Sequence, residues 1–307
     1  MRFLTLFLVP GLLGFGLMRP DQSTIQANLV FFYYKDLPRA QRFYEDTLGL
    51  KPAADYGFAK IYQVSRSSFL GLVDEKGGMH RAAEPKTVTL SFVTEEVDGW
   101  YRYLVDKGVQ TRGPLKDATR HPTRGFVAYD PEGYFLEFER FLKDSQNELF
   151  LSKLKNVKPL YSHETRASGR LKDLGVQANI IWLYYKDLAG AQKFYEEILG
   201  FQLLVDQGFA KVYSCSTSGF IGLVDEAQGL HRFSDEKAVT VSFLTAEIEK
   251  WHSSLKEKGL KMHSPLEGPG RVPVRSFVTY DEAGYFLEFD EFLDHQKNAT
   301  LLRLLKK

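Results

Sequence analysis

The sequence predicts an α+β protein that contains two copies of one domain in tandem. The first observation is length, since 307 residues are about twice the size of a common domain. The second is an internal repeat, in which residues 27–142 match residues 178–293 without a gap and with about half of the positions identical. The third is the order of strand and helix patterns, which is the same in both copies.

Composition excludes several classes of protein. Hydrophobic residues make up 44% and aromatic residues 14%, which is enough to bury a core in each copy and excludes a disordered chain. Lys and Arg number 40 against 39 Asp and Glu, so the basic excess that nucleic-acid binding requires is absent. The single cysteine, Cys215, excludes an internal disulfide and a Cys-rich metal site. We therefore expect no nucleic-acid partner and no disulfide partner.

The chain begins with an apolar segment, and we expect residues 1–22 to be a signal peptide or a membrane-targeting segment. Met1-Arg2 is followed by an apolar run from Phe3 to Met18, and this order is typical of export signals. The run is shorter than the about 20 residues that span a bilayer. The expected localisation is therefore exported, either periplasmic or secreted, with a membrane-anchored protein as the alternative.

The first half of each copy reads as a strand, a helix and further strands. In the first copy, an aromatic and β-branched run over 28–34 predicts the first strand. Asp36 is suited to cap the helix that follows, and Gly49 is suited to end it. Two more strands are predicted over 58–64 and 69–73.

The second half of the copy repeats this order. Alternation over 87–93 predicts a strand, and Thr94 precedes a helix that extends to Gly108. Residues 125–129 and 134–138 are predicted to form a hairpin around an Asp-Pro-Glu-Gly turn. Each copy therefore contains two modules of a strand, a helix and further strands, which gives four modules in the chain.

Three segments, present twice and in the same order, resemble the vicinal oxygen chelate superfamily, which includes glyoxalase I, bleomycin-resistance proteins and extradiol dioxygenases. In the first copy they are KDLPRAQRFYEDTLGL, TVTLSFVTEEVDGWYRYLVDKGV and FVAYDPEGYFLEF. The resemblance implies two βαβββ modules per domain, paired into a half-open barrel, and four modules in an intrachain pseudo-dimer. The domains are expected at 26–143 and 178–294, with a linker containing a short helix at 144–177 and an amphipathic tail at 295–307.

The resemblance also implies where a metal would bind, and the sequence departs from the pattern there. Metal-using members carry His or Gln, then His, then Glu at three positions. The residues at these positions are Leu29, Thr89 and Glu137 in the first copy and Ile180, Thr240 and Glu288 in the second. An aliphatic side chain cannot bind a metal, and one carboxylate with one hydroxyl is a poor transition-metal site. We therefore expect no cofactor, with a divalent metal as the alternative.

Strand alternation predicts which side chains face the cup of each barrel. The lining is aromatic with hydroxyls and a carboxylate, which suits a small organic ligand. The candidate ligand-binding residues are Leu29, Phe31, Tyr33, Thr89, Ser91, Glu137, Ile180, Trp182, Tyr184, Thr240, Ser242, Glu288, Arg124 and Arg275. Tyr33 with Glu137, repeated as Tyr184 and Glu288, are candidate catalytic residues, as a hydroxyl donor and a carboxylate base. Alternatively, each tyrosine and glutamate satisfy one another in a filled barrel.

Two repeated groups have roles that the sequence leaves open. His80 and His231 follow a predicted strand, and each either covers the cup, acts as a displaced metal ligand or has a structural role. The arginines before the last hairpin form the other group, which consists of Arg120, Arg124, Arg271 and Arg275. They either bind a carboxylate or phosphate of a ligand or pair with acidic side chains.

The expected function is binding or sequestration of a small organic molecule in an aromatic-lined cup without the usual metal centre, as in bleomycin-resistance proteins. One alternative is a glyoxalase-like lyase or dioxygenase with a relocated or metal-independent active site. Another is a non-catalytic scaffold with filled cups. The expected assembly is a monomeric pseudo-dimer or a higher homo-oligomer.

Overall fold

The computed structural model describes residues 21–117, 121–161 and 173–306. The predicted export segment, residues 1–22, lies outside the described residues except for its last two. Arg120 lies outside them as well. Among the helices of the described ranges, none is long and apolar enough to cross a membrane.

The first copy contains two modules, each with a strand, a helix and three strands, as predicted. Module 1 consists of β1 (Ile25–Tyr34), α1 (Leu37–Arg42), β2 (Lys51–Asp55), β3 (Ala59–Ser65) and β4 (Ser68–Asp74). Module 2 consists of β5 (Val88–Val93), α2 (Val97–Asp106), β6 (Lys116–Asp117), β7 (Thr123–Tyr129) and β8 (Phe135–Phe141). The helix α3 (Glu148–Leu154) follows module 2.

The second copy repeats these elements. Module 3 consists of β9 (Ala178–Tyr185), α4 (Leu188–Lys193), β10 (Gln202–Asp206), β11 (Ala210–Ser214) and β12 (Gly219–Asp225). Module 4 consists of β13 (Val239–Thr245), α5 (Ile248–Glu257), β14 (Met262–Glu267), β15 (Val274–Tyr280) and β16 (Phe286–Phe292). The helix α6 (Ala299–Leu305) follows module 4. The α+β fold with tandem domains and four modules is confirmed.

The helix starts and turns have the local causes that the sequence suggests. Asp36 caps α1, because its Oδ1 accepts a hydrogen bond from the backbone N–H of Arg39 at 3.0 Å. The helix continues through one π-helical turn and ends at Gly49, whose φ of +69° favours glycine. In the last hairpin, Asp130 accepts backbone hydrogen bonds within its own turn, and Gly133 has a φ of +91°.

The chain forms two eight-stranded sheets, and each sheet takes one module from either copy. The terminal sheet joins modules 1 and 4 in the order β14-β15-β16-β13-β1-β4-β3-β2. The central sheet joins modules 2 and 3 in the order β10-β11-β12-β9-β5-β8-β7-β6. The joins are the antiparallel pairs β1–β13, with Phe31 opposite Thr240, and β5–β9, with Thr89 opposite Trp182. Each barrel is therefore completed by the other copy rather than within one copy.

One face of each sheet is covered by helices and forms the core. Trp100 of α2 packs on Phe138 of β8 with ring centroids 4.9 Å apart, and Trp251 of α5 packs on Phe289 of β16 at 5.1 Å. The helix α3 packs against β10 and α6 packs against β2, so the closing helices also cross between copies. Because side chains alternate along a strand, the opposite face of each sheet carries a separate set of residues.

Candidate functional site

Each sheet lines one cavity on the face opposite α1, α2, α4 and α5, and the closing helices α3 and α6 cover part of that same face. We call the cavity of modules 1 and 4 the terminal cup and the cavity of modules 2 and 3 the central cup. The terminal cup has about 210 Å³ of space and the central cup about 260 Å³. The rings and acids of the terminal cup are Phe31, Tyr33, Tyr56, Phe58, Phe292, Glu288 and Asp290. Those of the central cup are His121, Phe141, Trp182, Tyr184, Phe209, Glu137 and Glu139.

Two acidic side chains lie together in each cup, because they are two residues apart on one strand and so share a face. In the terminal cup, Asp290 is only 3% exposed and its Oδ2 accepts a hydrogen bond from Ser242 Oγ at 2.5 Å. Glu288 keeps part of its surface open to the cup, and its carboxyl group makes no hydrogen bond with any described residue. Within the described ranges, Asp290 therefore has a hydrogen-bond partner and Glu288 has none.

The central cup has the same arrangement. Glu139 is 4% exposed and accepts hydrogen bonds from Ser91 Oγ and, at 3.4 Å, from Trp182 Nε1. Glu137 lies beside it and, like Glu288, accepts no hydrogen bond from the described part of the chain. The second acid of each pair, Glu139 or Asp290, was not among the predicted residues. Strand alternation could have identified both, since each follows a predicted glutamate by two positions.

Burial raises the pKa of all four carboxyl groups, because the charged form loses contact with water. The pKa of Glu139 and of Asp290 rises to about 7. The pKa of Glu137 and of Glu288 rises well above the ordinary value, first through burial and then through repulsion from the neighbouring acid. Each pair therefore retains a proton near neutral pH.

The tyrosines of the cups are paired with threonines across the joins between the copies. Tyr33 Oη lies 2.7 Å from Thr240 Oγ1, and Tyr184 Oη lies 2.7 Å from Thr89 Oγ1. Burial raises the pKa of both tyrosines, so their hydroxyls stay protonated. The expectation that Tyr33 acts with Glu137 is wrong, because β1 pairs with β13 of the other copy. Tyr33 shares a cup with Glu288, while Tyr184 shares a cup with Glu137.

The other predicted lining residues are placed in two layers. Phe31 and Trp182 face the cups, and their rings lie against Gly71 and Gly222, where a Cβ would come within 2.2 and 2.0 Å of the ring. Leu29 and Ile180, by contrast, are fully buried among apolar side chains and do not line either cavity. The hydroxyl residues are also fully buried and support the lining through the hydrogen bonds described above; they are Thr89, Ser91, Thr240 and Ser242.

The arginines expected to bind a ligand lie away from the cavities. Arg124 donates to both carboxylate oxygens of Asp98 on α2, at 3.1 and 2.6 Å. Arg275 pairs with Glu249 at 2.5 Å and with Glu291 at 2.8 Å. The ligand role of Arg124 and Arg275 is thus corrected to a structural one, since their neighbours in β7 and β15 face the cups and alternation turns the arginines outward.

Arg271 is the exception among the described arginines of that group. Its guanidinium lies over the ring of Phe58, 3.8 Å from the ring centroid. Arg271 is exposed, and Phe58 lines the terminal cup. This arginine therefore lies at the rim of the terminal cup, where it covers one face of an aromatic wall residue.

The two loop histidines lie behind the cup tyrosines. His80 contacts the Tyr33 ring at 5.1 Å, and His231 contacts the Tyr184 ring at 4.9 Å. The Nδ1 atom of His80 lies 2.8 Å from Glu84, while the buried Nε2 atoms of both histidines have no partner in the described chain. Burial lowers the pKa of both, to about 4 for His231, so they are neutral at pH 7.

The donor groups do not fit a transition-metal centre. Because the barrels join across the copies, the family positions of the terminal cup are Leu29, Thr240 and Glu288, and Asp290 adds a second carboxyl group. His121 lines the central cup together with Glu137 and Glu139, but among the described residues no group of three or more His, Cys, Asp or Glu is placed to hold a metal. Carboxyl groups with a raised pKa and a hydroxyl engaged by tyrosine are poor ligands for such a metal.

Comparison with known proteins supports the fold. A family model described as the glyoxalase/bleomycin resistance protein/dioxygenase superfamily matches residues 26–138 and 177–289. Glyoxalase I from Zea mays is similar in structure, with a TM-score of 0.59 and 16% identity over 90% of this chain and 94% of the other. A putative dioxygenase from Bacillus subtilis has a TM-score of 0.60 and 13% identity over 89% of this chain and 86% of the other. No curated protein matches the sequence.

Proposed function

Because this chain belongs to the glyoxalase/bleomycin resistance protein/dioxygenase superfamily and contains the domain twice, we propose that it binds a small organic molecule in each of its two cups without a metal centre. The proposed role is binding or sequestration. In this role the aromatic rings enclose the ligand and the carboxyl pair holds its polar group.

One observation carries the proposal, namely an incompletely paired acid at the floor of an aromatic cavity. Glu288 in the terminal cup and Glu137 in the central cup are partly open to their cavities, and neither accepts a hydrogen bond from the described residues. A ligand that hydrogen-bonds to the carboxyl group and fills the apolar space would pair this acid and bury additional aromatic surface.

A scaffold function has less support. Filled barrels would leave no room beside the acids, whereas the cups have about 210 and 260 Å³ of space. The tyrosines and glutamates also do not satisfy one another, since each tyrosine pairs with a threonine. The cups are therefore better suited to a ligand than to a purely structural role.

A second candidate function is metal-independent proton transfer. It is favoured by the carboxyl pairs, because a pair that shares a proton near pH 7 can both donate and accept one. In this function Glu288 or Glu137 would exchange a proton with the bound molecule, and the second acid of the pair would support the charge. Both candidate functions require the same binding cup.

The test of binding uses benzyl alcohol as a probe and two variants that fill one cup each. Val274→Trp narrows the terminal cup, and Thr123→Trp narrows the central cup at the matching position. We expect two sites in the native protein by ligand-observed NMR, one site in each variant and none in the double variant. Chelation of metals by EDTA is expected to leave binding unchanged. Equal binding by the native protein and the double variant, or loss of binding with EDTA, would contradict the proposal.

We also propose that the apolar segment at residues 1–22 directs export of the chain. Its basic start and apolar run support this proposal. Fusion of residues 1–22 to alkaline phosphatase, which is active only outside the cytoplasm, provides the test. Activity with the segment and no activity after Leu8→Arg is the expected result, and equal activity of both fusions would contradict it.

A further inference from the structure

We infer that the terminal cup selects an organic amine in its cationic form, held by Glu288 and Asp290 and enclosed by aromatic rings. This inference rests on the proposed binding function and names the ligand class for one of the two cups. It follows from three properties of the cup, which are its hydrogen-bond acceptors, its aromatic walls and its difference from the central cup.

The terminal cup offers acceptors and almost no donors. The carboxyl groups of Glu288 and Asp290 face the cavity, and the one hydrogen bond they receive from the described residues comes from Ser242. The hydroxyl of Tyr56 donates to Asn298 Oδ1 at 2.5 Å, and that of Tyr33 is engaged with Thr240. None of the described residues that line this cup is Lys, Arg or His. Apart from the Ser276 hydroxyl and the proton that the acid pair retains, the donors therefore have to come from the ligand.

The walls of the terminal cup favour a cation over a neutral donor. The aromatic wall residues are Phe31, Tyr33, Tyr56, Phe58 and Phe292. The faces of such rings are electronegative and attract a cation by about 0.5–2 kcal/mol. The position of the Arg271 guanidinium over Phe58 shows that this wall already accepts a cation on one face. An ammonium group beside the carboxyl pair would thus be attracted by the floor and the walls together.

The central cup differs from the terminal cup in the side chains that can donate hydrogen bonds to the cavity or to its acids. Trp182 donates to Glu139 from its indole N–H, whereas Phe31 at the matching position has no donor. His121 and Gln207 line the central cup where the terminal cup has Val272 and Tyr56. Because Trp182 donates to Glu139 and the Gln207 amide adds a donor group to the lining, the acids of the central cup depend less on a cationic ligand. The inference is therefore restricted to the terminal cup.

Amine binding is expected to release a proton. The empty pair retains a proton near neutral pH, and an ammonium group beside the pair favours its ionisation. The affinity for an amine is therefore expected to increase with pH through about 7. Among the other groups near the pair, burial raises the pKa of Tyr33 and of Tyr56 and lowers the pKa of His80, which lies beside Glu84. The Arg271 guanidinium lies over Phe58 at the rim.

The experiment compares benzylamine with benzyl alcohol, which has the same ring and no charge. The full chain carries Thr123→Trp so that only the terminal cup is open, and Kd is measured by isothermal titration calorimetry at pH 8. We expect benzylamine to bind at least about tenfold more tightly than benzyl alcohol, since tenfold is 1.4 kcal/mol and lies within the range of a cation–π contact with an ion pair. We also expect its affinity to rise about tenfold between pH 6 and pH 8.

Variants of the two acids test whether the carboxyl groups cause the preference for benzylamine. Glu288→Gln with Asp290→Asn keeps the shape of the floor and is expected to reduce the advantage of benzylamine to less than about twofold. Glu257→Gln, at an exposed position that lines neither cup, is the control and is expected to leave the Kd of both probes unchanged. Three results would overturn the amine assignment: equal affinity for both probes, a preference for benzylamine that persists in the double acid variant, or a benzylamine affinity that falls as pH rises. In each case, binding of benzyl alcohol would still support the proposed function. Failure of both probes to bind would overturn both.

Discussion

The floors of the two cups share one arrangement, apart from the indole N–H that Trp182 donates to Glu139 in the central cup, and their rims differ. In each floor, two acids on one strand lie beside a serine, and a tyrosine of the other copy pairs with a threonine. The rims differ where Tyr56, Val272 and Val274 of the terminal cup replace residues of the central cup. The central residues at these positions are Gln207, His121 and Thr123. The comparison indicates that the floor serves a requirement common to both cups, while the rim determines which ligand each cup accepts.

The comparison also shows that the repeated half of the sequence is not the unit that forms a cup. The repeat divides the chain into two halves, but each cup takes one module from each half. A substitution in module 4 therefore changes the terminal cup, which contains Tyr33. It does not change the central cup, although module 3 precedes module 4 in the sequence. Divergence of the two sites has to be followed by pairs of modules rather than by copies.

The largest expected effect tests whether the two floors are equally supported by the scaffold. Tyr134 Oη accepts from the backbone N–H of Tyr33 at 2.8 Å and donates to the carbonyl of Ala238 at 2.6 Å. Tyr285 makes the matching bonds to Tyr184 and Thr87 in the central sheet. Tyr134→Phe and Tyr285→Phe each leave two buried backbone groups unpaired, so we expect each to lower the free energy of unfolding by about 2–4 kcal/mol.

Urea unfolding followed by circular dichroism measures this loss. Tyr129→Phe is the control, because its hydroxyl makes no hydrogen bond with the described residues, and it is expected to change stability by less than about 0.5 kcal/mol. A loss in one variant and none in the other would show that the two sheets are not supported equally.

An intermediate effect tests whether both acid pairs oppose folding when charged. The pKa of Glu288 and of Glu137 is higher in the folded protein than in the unfolded chain, so the folded state binds more protons and loses stability as pH rises from about 4 through neutrality. Glu288→Gln and Glu137→Gln remove this loss. We expect each to raise the free energy of unfolding at pH 8 by on the order of 1–3 kcal/mol, and the gain to disappear near pH 4.

Urea titrations between pH 4 and pH 8 provide the measurement, and exposed Glu257→Gln serves as the control with no pH-dependent gain. Destabilisation of both variants at pH 8 would show that the acids support the fold rather than oppose it. A gain in stability from only one of the two substitutions would show that the charge of the other glutamate is already compensated in the folded protein. The two floors would then differ in how they stabilise their acids.

The smallest effect concerns the arginines on the outer faces. Asp98 and Glu249, the partners of Arg124 and Arg275, have 42% and 60% of their side-chain surface exposed. Exposed ion pairs contribute about 0–1 kcal/mol, so we expect Arg124→Ala and Arg275→Ala to reduce stability by no more than that. Benzyl alcohol affinity is expected to stay within about twofold of the native value in both variants, because neither arginine lines a cavity. A tenfold loss of benzyl alcohol affinity in either variant would show that the substituted arginine belongs to the binding site.

The sequence predicts much of this architecture because the signals are local and occur twice. The repeat and the alternation of strands give four modules, and the same alternation places Tyr33 and Glu288 on the cup face of their strands. The partner of each module could not be predicted in this way. In either possible pairing, β1 lies beside the first strand of another module, which is β5 of the same copy or β13 of the other copy. These two strands carry nearly the same residues. The choice between them depends on contacts between distant parts of the chain.

Other residues of the site were missed for different reasons. Tyr56, Phe58 and His121 lie at strand ends or in loops, where side chains follow no fixed alternation. Glu139 and Asp290, in contrast, follow directly from the period of two residues along a strand. Arg124 and Arg275 were assigned by charge alone, although their position between cup-facing neighbours indicates the outer face.

The exchange of modules also has a consequence for synthesis of the chain on the ribosome. The strand β1 needs β13 as its antiparallel neighbour, and residues 239–245 emerge only after modules 2 and 3 have been made. The central sheet can close first, while module 1 waits with one edge of β1 unpaired and open to association with other chains. During synthesis the terminal cup therefore cannot be completed before module 4 has emerged, and module 1 has to avoid other partners until then.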